Sequence, residues 1–66
     1  MQNANNFRRI MRLPEVIEAT GYRRASIYNL MKTGKFPRAR SIGARAVGWD
    51  SQEIHNWITE RLDAAQ

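Results

Sequence analysis

Between Arg23 and Lys32 the chain sets out side chains suited to nucleic acid: Arg23, Arg24, Tyr28, Asn29 and Lys32. Arginine pairs bidentately with guanine and asparagine with adenine, so Arg24 and Asn29 are the candidate base readers. Arg23, Tyr28 and Lys32 suit phosphate, which fixes register without carrying sequence information. A second group lies downstream, where Arg40 and Arg45 stand among the small residues Ala39, Ser41, Gly43, Ala44 and Ala46. An arginine at a tight tip can lie against phosphates or enter a narrow minor groove. Charged residues on an edge strand also simply block strand pairing, and the residues alone leave both roles open. Arg8, Arg9 and Arg12 follow the polar stretch MQNANNF. They read either as a flexible basic arm over residues 1–9 or as a solvated charge run.

Catalytic chemistry finds little material. There is no cysteine, and His55 is the single histidine, on the polar side of its helix. Ser26, Ser41 and Ser51 have no base near them in sequence, and no glycine loop is built to cradle phosphate. The expectation is a non-enzymatic protein without metal or cofactor.

The elements that must position these residues are short. Leu13, Val16 and Ile17 have the i, i+3, i+4 spacing of one helical face. Pro14 suits the first turn, Glu15 favours the helix N-terminus, and Gly21 is a natural stop. A second helix is expected from about Arg24 to Thr33, with Ile27, Leu30 and Met31 inward. At about 100° per residue, Ala25, Asn29 and Lys32 then face outward, flanked by Tyr28. Gly34 and Pro37 end it. The connection Gly21-Tyr22-Arg23 is short enough to make the pair a helix-turn-helix. Residues 38–42 and 45–49 read as two strands about a Gly43-Ala44-Arg45 connection, a small two-stranded wing. Asp50-Ser51-Gln52-Glu53 has capping-box spacing and opens a third helix, with Ile54, Trp57, Ile58 and Leu62 as its apolar stripe. The expected fold is mainly α, a winged helix-turn-helix of three helices and a hairpin over residues 10–64.

Charge supports the same reading. Of eleven Lys and Arg and six Asp and Glu, residues 1–49 hold ten bases and two acids, a net of +8. Residues 50–66 hold one base and four acids, a net of −3. A basic body with an acidic last helix points one face at a polyanion. With 66 residues there is room for one domain, and without cysteine its stability rests on one apolar cluster. Trp49, Trp57, Tyr22 and Phe36 are therefore expected inside that cluster rather than stacking on single-stranded bases. No apolar run approaches the roughly 18 residues of a membrane span, and a soluble, cytoplasmic, nucleoid-associated protein is expected.

Taken in order, Leu13-Pro14-Glu15-Val16, Thr20-Gly21, Ser26-Ile27-Tyr28, Gly34-Lys35-Phe36-Pro37, Gly43-x-Arg45-Ala46-Val47-Gly48-Trp49 and Glu53-Ile54-x-x-Trp57-Ile58 resemble the AlpA family of prophage regulators. The resemblance covers about residues 10–62. It implies a small winged-helix protein, related in architecture to MerR-like DNA-binding domains and phage excisionases. Residue by residue, it puts Arg24, Ser26 and Tyr28 in the recognition helix and Arg45 in the wing. Two positions depart from the family: Arg23 stands where a capping serine is usual, and Arg40 where the family tends to be apolar. The implied function is control of a prophage or integrated island. An excisionase, or recombination directionality factor, would bend attachment-site DNA and assist a tyrosine recombinase integrase. A purely transcriptional regulator is the alternative, and a module that binds and inhibits an acidic protein is a more distant one. No heptad or large apolar face calls for an obligate dimer, so a monomer that lines up cooperatively on double-stranded DNA is expected.

Overall fold

Pro14, with its φ near the helical value and no N–H to leave unpaired, starts α1 (Leu13–Thr20) in the computed structural model, which describes residues 8–65. The Glu15 carboxylate reaches back to accept the Arg12 backbone N–H at 3.3 Å. This is half of a capping box, because an arginine at the cap has no acceptor to offer in return. At the far end Gly21 takes φ 75° and its N–H donates to the Ile17 carbonyl at 2.8 Å. Thr20 completes the turn: its hydroxyl donates to the Val16 carbonyl at 2.8 Å and accepts the Tyr22 N–H at 3.2 Å. Residues Gly21–Arg23 then lead into α2 (Arg24–Lys32). Helix α2 ends on two nested bonds, Gly34 N–H to Met31 and Lys35 N–H to Leu30, with Gly34 at φ 75°. That is the Schellman pattern. Thr33, expected as the last helical residue, is the cap, and its hydroxyl donates to the Leu30 carbonyl at 3.1 Å.

The expected hairpin forms from β2 (Arg40–Gly43) and β3 (Ala46–Asp50), and a further strand, β1 (Ile10–Met11), joins its other side. The sheet therefore has three antiparallel strands in the order β1-β3-β2, not two. Arg40 lies opposite Gly48 and Ser41 opposite Val47, and the register then shifts so that Gly43 faces Ala46. Gly48 explains how β1 comes so close. A Cβ there would stand 2.5 Å from Ile10 Cγ2 and 3.2 Å from the Met11 carbonyl oxygen. Docking of β1 also changes the picture of a flexible arm over residues 1–9. Residues 1–7 lie outside the described part, but Arg8 and Arg9 are tied down. Arg8 grips Asp50 through Nε at 3.2 Å and Nη2 at 2.7 Å. The Arg9 N–H donates to Ser51 Oγ at 2.7 Å and its carbonyl accepts the Ser51 N–H at 2.9 Å. The ladder with β3 continues into the start of the next helix and carries both arginines with it.

That helix, α3 (Ser51–Ala64), is capped by Asp50, whose carboxylate accepts the Gln52 N–H at 2.8 Å. Glu53 does not complete the expected box; it pairs with Arg40 of β2. The core is Met11, Val16, Ile27, Phe36, Trp49 and Ile54, drawn from all three helices, the sheet and the loop after α2. Each aliphatic side chain buried this fully contributes about 1.5–3 kcal/mol. Half-buried Leu30, Met31, Tyr22, Trp57 and Ile58 pack around it. The indole N–H groups reach the loop: Trp49 Nε1 donates to the Pro37 carbonyl at 3.1 Å and Trp57 Nε1 to that of Lys35 at 2.9 Å. Tyr22 and Phe36 meet the Trp57 ring edge-on at 5.6 and 4.8 Å. All four aromatics thus serve the interior. Leu62 departs from the expected stripe and is 68% exposed, because α3 runs past the end of the core. No helix among the described residues is long and apolar enough to cross a membrane.

Candidate nucleic-acid interface

Burial of Ile27 and the inward turn of Leu30 and Met31 fix the rotation of α2. Arg24, Ala25, Ser26, Tyr28, Asn29 and Lys32 are consequently exposed, together with Arg23 just before the helix. The N-terminus of α2 has no side-chain cap, since Arg23 occupies the cap position and can only donate. Its first-turn N–H groups and two guanidinium groups therefore present positive charge together. Neither α2 nor the Arg23 before it carries an acid.

Which arginines are free is decided by ion pairs. Arg8 is held by Asp50 at 2.7 Å, Arg9 by Glu15 at 3.0 Å, and Arg40 by Glu53. The Arg8 hydrogen bond is the main reason the Asp50 carboxyl sits below the usual carboxylate range; the Gln52 N–H adds to it and burial opposes it. The same contact raises the Arg8 guanidinium. Glu15 is lowered first by Arg9 and then by the Arg12 N–H. Arg12, Arg23, Lys32, Lys35, Arg38 and Arg45 form no ion pair among the described residues. Arg40, named with Arg45 as a wing contact, is thus turned toward α3, because β2 places it in reach of a carboxylate one turn into that helix.

Arg45 is different. It occupies the two-residue tip between β2 and β3 at φ 58°, the left-handed region, and its side chain is exposed. Glycine or asparagine is the usual occupant of such a backbone. An arginine there puts a guanidinium at the outermost point of the hairpin.

Two features escape a reading of the residues. Arg38 lies with Lys32, Tyr28, Met31 and Gly34 around an open cleft of about 490 Å³. The turn through Gly34 and Pro37 makes these two bases neighbours, and no helical or strand period predicts that. The other is a stack: the Arg24 guanidinium lies 5.8 Å from the Tyr28 ring centroid, and Tyr28 meets the buried Trp49 ring edge-on at 6.5 Å. The i, i+4 spacing of Arg24 and Tyr28 was a visible signal for the first contact; the second needs the fold.

Comparison with known proteins places the chain. Residues 9–62 match the family model described as prophage CP4-57 regulatory protein (AlpA). The DNA-binding transcriptional activator AlpA of Escherichia coli (strain K12) is 41% identical over 59 residues, covering 80% of this chain and 84% of that protein. The uncharacterized protein ORF88 of Enterobacteria phage P4 is 37% identical over 54 residues, covering 82% of this chain and 61% of its own length. No solved structure matches the chain. A family match across residues 9–62, joined to a relative that aligns over most of both chains, makes this chain a member of the AlpA family of prophage regulatory proteins.

Proposed function

We propose that this chain is a sequence-specific double-stranded DNA-binding regulator, a winged helix-turn-helix that lays α2 in the major groove with Arg45 on the wing beside it. The observation that carries this reading is the outer side of α2. Arg23, Arg24, Ser26, Tyr28, Asn29 and Lys32 are exposed together, with no acid in that stretch and an uncapped helix end. A major groove admits such a helix, N-terminal residues toward the base edges. Arg24 and Asn29 read bases; Arg23, Lys32 and Arg45 hold phosphate. The test is a binding titration on duplex DNA over a range of salt. Several phosphate contacts require affinity to fall steeply with salt. Salt-insensitive binding, or none at low salt, sinks the reading in favour of a module for an acidic protein surface.

Within it we infer excision control: binding at several sites beside an attachment site, bending of the DNA, and help to a tyrosine recombinase, with cooperative self-association along the DNA. Transcriptional control is the second reading, favoured by the name of the E. coli relative, a transcriptional activator. Deleting the gene separates the two. Loss of the rejoined attachment site supports excision, whereas normal excision with altered integrase transcript supports a purely transcriptional role.

A further inference from the structure

We propose that Tyr28 is a positioning residue for base readout, holding the Arg24 guanidinium in its base-facing pose rather than contacting phosphate itself. This rests on the reading of α2 as a DNA-recognition helix.

The stack begins in the core. Trp49 is 1% exposed, locked by its indole N–H to the Pro37 carbonyl at 3.1 Å. Tyr28 meets that ring edge-on at 6.5 Å with an interplanar angle of 66°. One side of the tyrosine is therefore set by a rigid part of β3. Its own exposure is 39%, enough to leave part of the ring open to a neighbour. Arg24, one helical turn back, places its guanidinium carbon 5.8 Å from the ring centroid. That is inside the reach of a cation–π contact.

The consequence concerns entropy and choice. A free arginine on a helix surface samples many rotamers and takes any phosphate within reach. One held against an aromatic face spends more of its time in a single pose, and bidentate pairing with guanine needs one pose. Arg23, beside it, has no such aromatic neighbour among the described residues and remains a general phosphate ligand. The stack thereby divides two adjacent arginines into a base reader and a backbone holder. It also joins the wing strand to the recognition helix, because the residue that fixes Tyr28 lies on β3.

The experiment is selection from a random-sequence duplex pool with the full chain, followed by affinity and salt titrations on the selected and scrambled duplexes. Wild type is expected to prefer guanine at one position by about tenfold or more, the scale of a bidentate arginine–guanine pair. Arg24→Lys, which keeps the charge without the planar fork, identifies that position by losing it. Tyr28→Phe keeps the ring and is expected to select the same motif with the same salt slope. Tyr28→Leu is expected to weaken the guanine preference at that position by about two- to fivefold, the range of an exposed cation–π contact. Other positions and the salt slope stay unchanged. If Tyr28→Leu does not fold, judged by its melting curve, Tyr28→Met takes its place.

Full retention of the guanine preference by the Leu or Met variant overturns the inference. A uniform loss of affinity on selected and scrambled duplexes alike in Tyr28→Phe overturns it too, and returns the hydroxyl to phosphate; the salt slope stays the same in that case, because a neutral hydroxyl releases no counterion. A loss spread over every position together with a lowered melting temperature shows a packing role only, and also overturns it. If wild type selects no motif at all, the reading of α2 falls, and this inference with it.

Discussion

Arg45 makes the sharpest test of the wing, because backbone and side chain there pull in opposite directions. Its φ of 58° puts a non-glycine residue in the left-handed region. That conformation costs a non-glycine residue roughly 1–2 kcal/mol. Glycine removes the cost but loses about 0.5–1 kcal/mol to its greater freedom in the unfolded chain. Arg45→Gly should therefore stabilise the fold by up to about 1 kcal/mol, and Arg45→Asn by a smaller amount. For a chain of 66 residues, 1 kcal/mol moves the melting temperature by about 4–8 °C. Binding should move the other way. One phosphate contact contributes about 0.9 to the slope of log affinity against log salt, which near 0.15 M amounts to about fivefold in affinity, or about 1 kcal/mol. Thermal unfolding by circular dichroism and fluorescence anisotropy on a labelled duplex measure the two effects. The expected outcome is a more stable protein that binds DNA about fivefold more weakly, with a salt slope lower by about one. A variant that is less stable while its salt slope is unchanged would refute the argument, since the side chain would then serve the hairpin and not the DNA.

Three further outcomes follow from particular contacts. Arg24→Ala should weaken binding to a selected site more than to random duplex, while Lys32→Ala weakens both alike; equal losses from Arg24→Ala on both DNAs would reject base reading. Gly48→Ala should cost about 1–3 kcal/mol in urea unfolding, since the new methyl would stand 2.5 Å from Ile10 Cγ2. Adding Ile10→Ala should recover part of that loss, though the Met11 carbonyl still crowds the site at 3.2 Å. Asp50→Asn keeps a capping side chain but gives up the charge that holds Arg8. The Asp50 carboxyl is held below its usual range in the folded chain, so its contribution is present above about pH 4 and is lost as pH falls through the lowered folded value. Wild type should thus melt higher than the variant at pH 7 and converge on it in acid; a constant gap down to pH 2 would show that the ion pair is not the cause.

Helices were the legible part of this chain because their signals are local. Leu13, Val16 and Ile17 declare a face; Gly21 and Gly34 declare ends, and both take φ 75° as a helix terminus requires. The rotation of α2, and with it the exposed set from Arg24 to Lys32, follows from Ile27 alone once Leu30 and Met31 are inward. What stayed hidden was pairing between segments far apart. Strand β1 has two residues, too few to show an alternation, and it exists only because β3 offers it an edge beside Gly48. Asp50 and Glu53 look like one capping box, yet Asp50 also takes Arg8, 42 residues away, and Glu53 takes Arg40, 13 away. A carboxylate's partner is the cation that the fold brings nearest, and a linear reading sees only its neighbours.

That sorting of charges bears on function more than the net charge does. Three acids, Glu15, Asp50 and Glu53, are each matched to one arginine around β1, β2 and the start of α3. These exposed pairs are individually worth little stability. Their larger effect is on the field around the molecule, because each cancels a charge that would otherwise attract phosphate at the corner where β1 meets α3. Arg61, the base of the last helix, lies over the Trp57 ring, 4.8 Å from its centroid. Among the described residues Arg12, Arg23, Arg24, Lys32, Lys35, Arg38 and Arg45, like Arg61, have no carboxylate partner, and most of them lie on α2, the loop after it and the wing tip. The acids thus direct the charge as much as the bases supply it: the cations they leave uncancelled gather mostly on the surface proposed above to meet DNA.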